Sequence, residues 1–144
     1  MEKQKFLMDY ALQCIKFNCS AEVALFIASQ FALESNFGRS DIAKENCNIC
    51  GMLLSRFRIT TALWVNRGHA VYLSTLYCVI DYFLWLSRFD FNQRDLVDLE
   101  CFKTRLQKSN YCPSKRYIDS IESIYDTYSE LLTNLKLFKD GKQK

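Results

Sequence analysis

A carboxylic acid at position 34 is the residue in this chain whose surroundings most suggest chemistry. Reading back from Glu34, the apolar residues Val23, Ala24, Ile27, Ala28 and Phe31 recur at helical spacing. Glu34 follows Phe31 by three residues and Ile27 by seven, so it continues the apolar face instead of the wet one. A carboxyl held against apolar walls loses solvation of its charged form. Its pKa rises and it keeps a proton near neutrality, which is what a general acid needs. The plainer alternative is a helix-terminal glutamate that reaches solvent or caps a neighbouring element, and the stripe alone favours that alternative.

Other reactive groups lead less far. The chain has seven cysteines and one histidine, His69. Cys47-x-x-Cys50 suggests a metal or redox pair, but no second such pair exists to complete a structural zinc site. A redox pair would open a helix after a strand, and this one does not. An odd number of cysteines cannot all pair within one chain, and they are expected to be mostly reduced, small buried hydrophobes. No metal and no cofactor are expected.

The elements that position Glu34 are mainly helical. A first amphipathic helix is predicted near residues 3–18. A second, capped by Ser20, runs to Glu34 and stops near Asn36 and Gly38, which tolerate left-handed geometry. Ser40 caps a short helix through Glu45. Residues 51–68 lack helical periodicity and hold Ile59-Thr60-Thr61 and Trp64-Val65, which predicts an irregular or hairpin lobe. A long apolar helix is predicted from about His69 to Arg88. Asn92 with Asp95 marks a helix start leading to Lys108. After Ser109-Asn110-Tyr111-Cys112-Pro113, Ser114 caps a last helix that puts Tyr117, Ile118, Ile121, Ile124, Tyr125 and Tyr128 on one side. Residues 1–138 read as one domain and 139–144 as a frayed polar tail.

Composition bounds the function. A chain of 144 residues, 49% hydrophobic and 15% aromatic, has enough apolar material for a single core and too much for disorder. A net charge of +3 with no basic arm gives no reason to expect a nucleic-acid partner. Ala70 to Leu86 is apolar but short for a bilayer and interrupted by Ser74, Thr75 and Asp81, so a buried helix is expected there and no stable membrane insertion. The amino-terminal stretch is broken by Asp9, Gln13 and Lys16 and does not read as a signal peptide.

Ala32-Leu33-Glu34-Ser35-Asn36-Phe37-Gly38-Arg39-Ser40, followed by Asn48-Ile49-Cys50-Gly51-Met52, resembles the glucosaminidase family of peptidoglycan hydrolases, glycoside hydrolase family 73. The family signature reads A-L-E-S-G-W-G-x-S-x-x-A and then N-L-F-G-I or N-L-F-G-M. Tyr72-x-Ser74, Cys78 and Asp81-Tyr82 resemble its Y-x-S-x-x-E-S-x-x-D-Y, and Tyr111 with Tyr117 resemble its Y-A-T-D-x-x-Y. The resemblance covers roughly residues 20–128 in the family's order.

That resemblance implies a mainly α, lysozyme-like α+β fold in which the acidic residue ends a helix at the floor of a cleft and a small lobe forms one wall. It implies cleavage of the β-1,4 bond after N-acetylglucosamine, with Glu34 as general acid. Peptidoglycan strands are the expected partner. Phe37, Trp64, Tyr72, Tyr111 and Tyr117 are the candidate substrate-binding residues; core packing is the alternative for the aromatics. Muramidase action on the same polymer and a silent glycan-binding or structural domain are the competing readings. The resemblance also breaks at one place. Glycoside hydrolysis normally uses two carboxylates. The family's second, in a segment often reading T-T-E-Y, corresponds here to Thr60-Thr61-Ala62-Leu63, and no Asp or Glu occurs from Asn46 through Ile80. Without a leader, such a protein is expected to be made in the bacterial cytoplasm and to reach the wall through a holin or a secretion system.

Overall fold

The computed structural model describes residues 2–109 and 114–143, the last two of these by their backbone alone. The fold is mainly α with one small antiparallel hairpin. Its helices are α1 (Glu2–Ile15), α2 (Ala21–Ser35), α3 (Asp41–Asn46), α4 (Thr75–Arg88), α5 (Gln93–Val97), α6 (Leu99–Lys108), α7 (Lys115–Thr127) and α8 (Leu131–Gln143). The strands β1 (Trp64–Asn66) and β2 (His69–Val71) lie between α3 and α4. Among the described residues no helix is long and apolar enough to cross a membrane. The chain forms two compact units, residues 1–30 with 91–144 and residues 31–90.

In the first unit the core is built from helix faces. Leu7, Ala11 and Cys14 of α1, Val23 to Ala28 of α2, Phe102 and Leu106 of α6, Ile118 and Ile121 of α7 and Leu135 of α8 are buried. Phe102 packs against Phe26 with ring centroids 5.9 Å apart and against Phe91 at 5.3 Å. Helix α2 is buried on nearly every side, so it behaves as a core helix and not as a surface helix with one apolar stripe. Ser20 caps it, with its Oγ accepting from Val23 N at 3.1 Å.

Helix boundaries in this unit differ from the expectation, and α1 already ends at Ile15. The helix expected from Asn92 to Lys108 is two helices. Asn92 and Asp95 form a reciprocal capping box that starts α5. At Asp98 the backbone turns extended (φ −114°, ψ 112°), and its carboxylate accepts from Cys101 N at 3.1 Å to start α6. The chain after α7 also continues as α8 through Gln143. Lys139, the first residue of the expected frayed tail, donates from Nζ to the Cys19 carbonyl at 2.8 Å.

The second unit holds the end of α2, α3, the hairpin and α4. The hairpin pairs Trp64 with Val71, Val65 with Ala70 and Asn66 with His69. Arg67 (φ 53°) and Gly68 (φ 78°) make its two-residue turn, both in the left-handed region that such tight hairpins require. This corrects the start of the long apolar helix. Residues 69–71 are drawn into a strand by cross-strand pairing, and the helix begins only at Thr75, after Ser74. Ile59-Thr60-Thr61 remains irregular. Helix α4 buries Cys78, Val79, Asp81, Tyr82, Trp85 and Leu86, and Tyr82 meets Phe31 edge-on at 5.0 Å. Asn46, at the end of α3, ties the hairpin down: its Nδ2 donates to Asn66 O at 3.0 Å, and its carbonyl accepts from Tyr72 N at 2.9 Å.

Candidate active site

Glu34 lies in the last turn of α2 and is half-buried. The helix ends one residue later because Asn36 (φ 50°), Phe37 (φ 56°) and Gly38 (φ 79°) are all left-handed. Only glycine adopts that region at no steric cost, so Phe37 holds local strain. Ser35 keeps the turn in place. Its Oγ donates to Phe31 O at 2.7 Å and accepts from Gly38 N at 2.8 Å. Phe37 itself is half-buried.

The Glu34 carboxyl rests against Gly51. A methyl group added at Gly51 would lie 2.5 Å from Glu34 Oε2 and 3.2 Å from its carboxyl carbon. Gly51 also has φ +70°, so both the space and the backbone conformation demand glycine. The loop that brings Gly51 here is organised by the buried side chain of Asn48. Its Oδ1 accepts from Cys50 N at 3.2 Å and Met52 N at 3.3 Å, and its Nδ2 donates to the carbonyls of Met52 and Ala70, each at 2.9 Å. The Asn-x-x-Gly spacing therefore has a physical meaning. Asn48 shapes the loop, and Gly51 gives the acid a surface without a side chain.

Trp64 opens β1 and is 69% exposed. Tyr72 follows β2 and is buried, with its hydroxyl donating to Asp81 Oδ2 at 2.5 Å. Burial first, and then the neighbouring Cys78 and Asp81, push the Tyr72 phenol far above its ordinary range, so it stays protonated. Tyr117 belongs to the first unit, on α7, where its hydroxyl accepts from Nε2 of the buried Gln30 at 3.0 Å. Tyr111 lies outside the described residues. Glu34, Phe37, Trp64 and Tyr72 thus share one compact unit.

Arg58 has no place among the residues expected from sequence, yet it organises the lobe. Its guanidinium pairs with Asp81 through two bonds, Nη1 to Oδ1 at 2.6 Å and Nη2 to Oδ2 at 3.3 Å. The Arg58 side chain is 8% exposed and that of Asp81 is fully buried. The irregular segment before β1 is thereby anchored on α4. Thr61 Oγ1 adds a second anchor by donating to Tyr77 O at 2.6 Å, and Leu63 N donates to Val71 O at 2.8 Å. Asp81 was the sequence signal for a buried cation, though not for which of Arg56, Arg58 and Arg67 supplies it. A carboxylate on an apolar helix face needs a cation, and the acid-free stretch supplies arginines.

Residues 17–130 match the glucosaminidase family, described as mannosyl-glycoprotein endo-beta-N-acetylglucosaminidase. The chain belongs to the glucosaminidase family. That makes it a glycoside hydrolase domain, and its helices with one small hairpin lobe agree with a lysozyme-like architecture. No curated protein and no solved structure matches it. The family match spans Glu34, Gly51, Trp64, Tyr72, Asp81 and Tyr117. Among the described residues, no group of three or more His, Cys, Asp or Glu side chains could hold a metal ion.

Proposed function

We propose that this glucosaminidase-family domain is a peptidoglycan hydrolase that cleaves the β-1,4 bond after N-acetylglucosamine, with Glu34 as the general acid. Family membership supports a glycosidase acting on peptidoglycan. The observation that carries the finer reading is the half-buried Glu34 carboxyl seated on Gly51 at a helix end. As the general acid, Glu34 carries a proton into the reaction. In the reaction it gives that proton to the bridging oxygen as the bond to the anomeric carbon breaks, and the departing sugar leaves as an alcohol.

The positive charge that develops on the sugar ring then needs a partner. No carboxylate occurs between Asn46 and Ile80, the stretch in which the family's second acid falls. This absence favours a role for the substrate. The carbonyl oxygen of its own 2-acetamido group attacks the anomeric carbon, and water opens the resulting ring. Phe37 and Trp64 are the aromatic surfaces proposed to hold sugar faces.

The test is clearance of purified cell walls by the wild-type chain and by Glu34→Gln. Loss of the acid is expected to slow clearance about 10²–10⁴-fold with the fold unchanged by circular dichroism. Equal clearance would remove Glu34 from the mechanism. Reducing-end analysis of the fragments then assigns the bond: N-acetylglucosamine ends agree with the proposal, and muramic acid ends make the protein a muramidase using the same acid.

A further inference from the structure

Two sulfur atoms lie together behind the seat of Glu34. Cys50 Sγ is 3.1 Å from Cys78 Sγ, across 28 positions of sequence. Both side chains are fully buried, and both are thiols in the structure. Each is also held from the side. Cys50 Sγ points to the Cys78 carbonyl at 3.8 Å, and Cys78 Sγ to Asn48 Oδ1 at 3.8 Å. The loop that carries Cys50 is fixed by the four bonds of Asn48, and Cys78 is fixed by its place on α4. Two sulfurs held in this way need to close by only about 1 Å to reach covalent distance, near 2.05 Å.

We propose that Cys50 and Cys78 form an intramolecular disulfide when the chain folds in contact with a low-molecular-weight disulfide such as oxidised glutathione. One cysteine thiolate attacks a sulfur of the small disulfide, forming a mixed disulfide and releasing one small thiol. The second cysteine thiolate attacks the protein sulfur of that intermediate and releases the other small thiol. The two protein thiols lose two protons and two electrons, and the small disulfide takes them up to become two thiols. Burial hinders this exchange in the finished fold, so the bond forms while the loop and α4 are still docking. Once made, it ties the loop bearing Gly51, and therefore the surface under Glu34, to the helix that carries Asp81.

Among the described cysteines, Cys50 and Cys78 are a pair joined by a sulfur–sulfur contact; Cys112 lies outside the described residues. Cys47 and Cys101 are only half-buried. The inference is independent of catalysis, because it is read on the sulfur atoms and not on glycan.

The full chain is unfolded, reduced, and refolded in a mixture of oxidised and reduced glutathione; remaining thiols are then alkylated and the peptides mapped by mass. Cys50 is expected in covalent linkage with Cys78, and the other five of the seven cysteines alkylated. Tm is expected to rise by roughly 5–10 °C, since the link closes a loop of moderate length, and to fall back once the chain is unfolded and refolded in dithiothreitol. Cys78→Ser keeps a small polar group beside Asn48 and is expected to melt at the same temperature with or without dithiothreitol. Cysteines 50 and 78 both recovered alkylated from the wild-type chain would overturn the proposal. So would a link joining either of them to another cysteine, or a Tm lowered by oxidation. The wild-type map decides even where the variant does not fold.

Discussion

The Glu34 carboxyl lies against Gly51, although the two residues belong to separate motifs. Only glycine meets both the φ of +70° and the 2.5 Å approach, and in the proposed mechanism this leaves the Glu34 carboxyl a surface without a side chain. Gly51→Ala is therefore expected to lower Tm by roughly 3–8 °C, from about 1–2 kcal/mol of backbone strain. Wall clearance should fall at least tenfold, because the new methyl displaces Oε2. Full clearance by a folded Gly51→Ala protein would show that the seat is not needed for chemistry. Arg58 offers a contrasting residue-scale test. Arg58→Met leaves Asp81 buried with the Tyr72 hydroxyl but without its cation, at an expected cost of about 3–5 kcal/mol in a denaturant titration. A loss below about 1 kcal/mol would mean that water reaches Asp81 and replaces the guanidinium.

At the scale of elements, boundaries are set by side chains that compete for backbone groups. Asp98 is the clearest case. Its carboxylate takes the N–H of Cys101, while its own N–H donates to Arg94 O at 3.0 Å, so one residue closes α5 and opens α6. Asp98→Ala removes the cap and is expected to cost about 1 kcal/mol, read as a shift in the urea midpoint at unchanged slope. A changed slope would instead point to altered compactness of the chain. The hairpin follows the same logic. Arg67 and Gly68 reverse the chain, and Asn46 reaches across to hold the hairpin's backbone. The irregular stretch before β1 has little regular backbone bonding and depends on side-chain anchors, chiefly Arg58 and Thr61.

For the molecule as a whole, buried protons couple stability to pH. Burial pushes the Cys19 thiol up to about 12, partly opposed by the Lys139 ammonium, and burial also pushes the Tyr72 phenol upward. Both groups are protonated in the folded state at pH values where the unfolded chain has begun to lose its protons. Their contributions are complete below pH 9, the ordinary thiol value for Cys19, and below pH 10 for Tyr72. Above those values stability is expected to fall by about 1.4 kcal/mol per pH unit for each group. Tyr72→Phe should flatten the part of the fall above pH 10, measured by denaturant titration at several alkaline pH values. An unchanged slope there would mean that the Tyr72 hydroxyl ionises in the folded state as it does in water.

Local signals were enough to read the helical class, the caps at Ser20, Ser40, Asn92 and Ser114, and the position of Glu34 at a helix end, because caps and helical spacing act within a few residues. The order of the family's motifs was also legible along the chain. Spacing could not show that His69 to Val71 would join a strand, since an apolar run fits either state until a partner strand pairs with it. The partners of Asp81 were equally hidden. Arg58 lies 23 positions away, and only the folded lobe brings it to the helix. The contact between Glu34 and Gly51 belongs to the same class. Chain order supplies an acid and a glycine; tertiary packing decides that one rests on the other, because close approach between distant segments depends on where the elements dock.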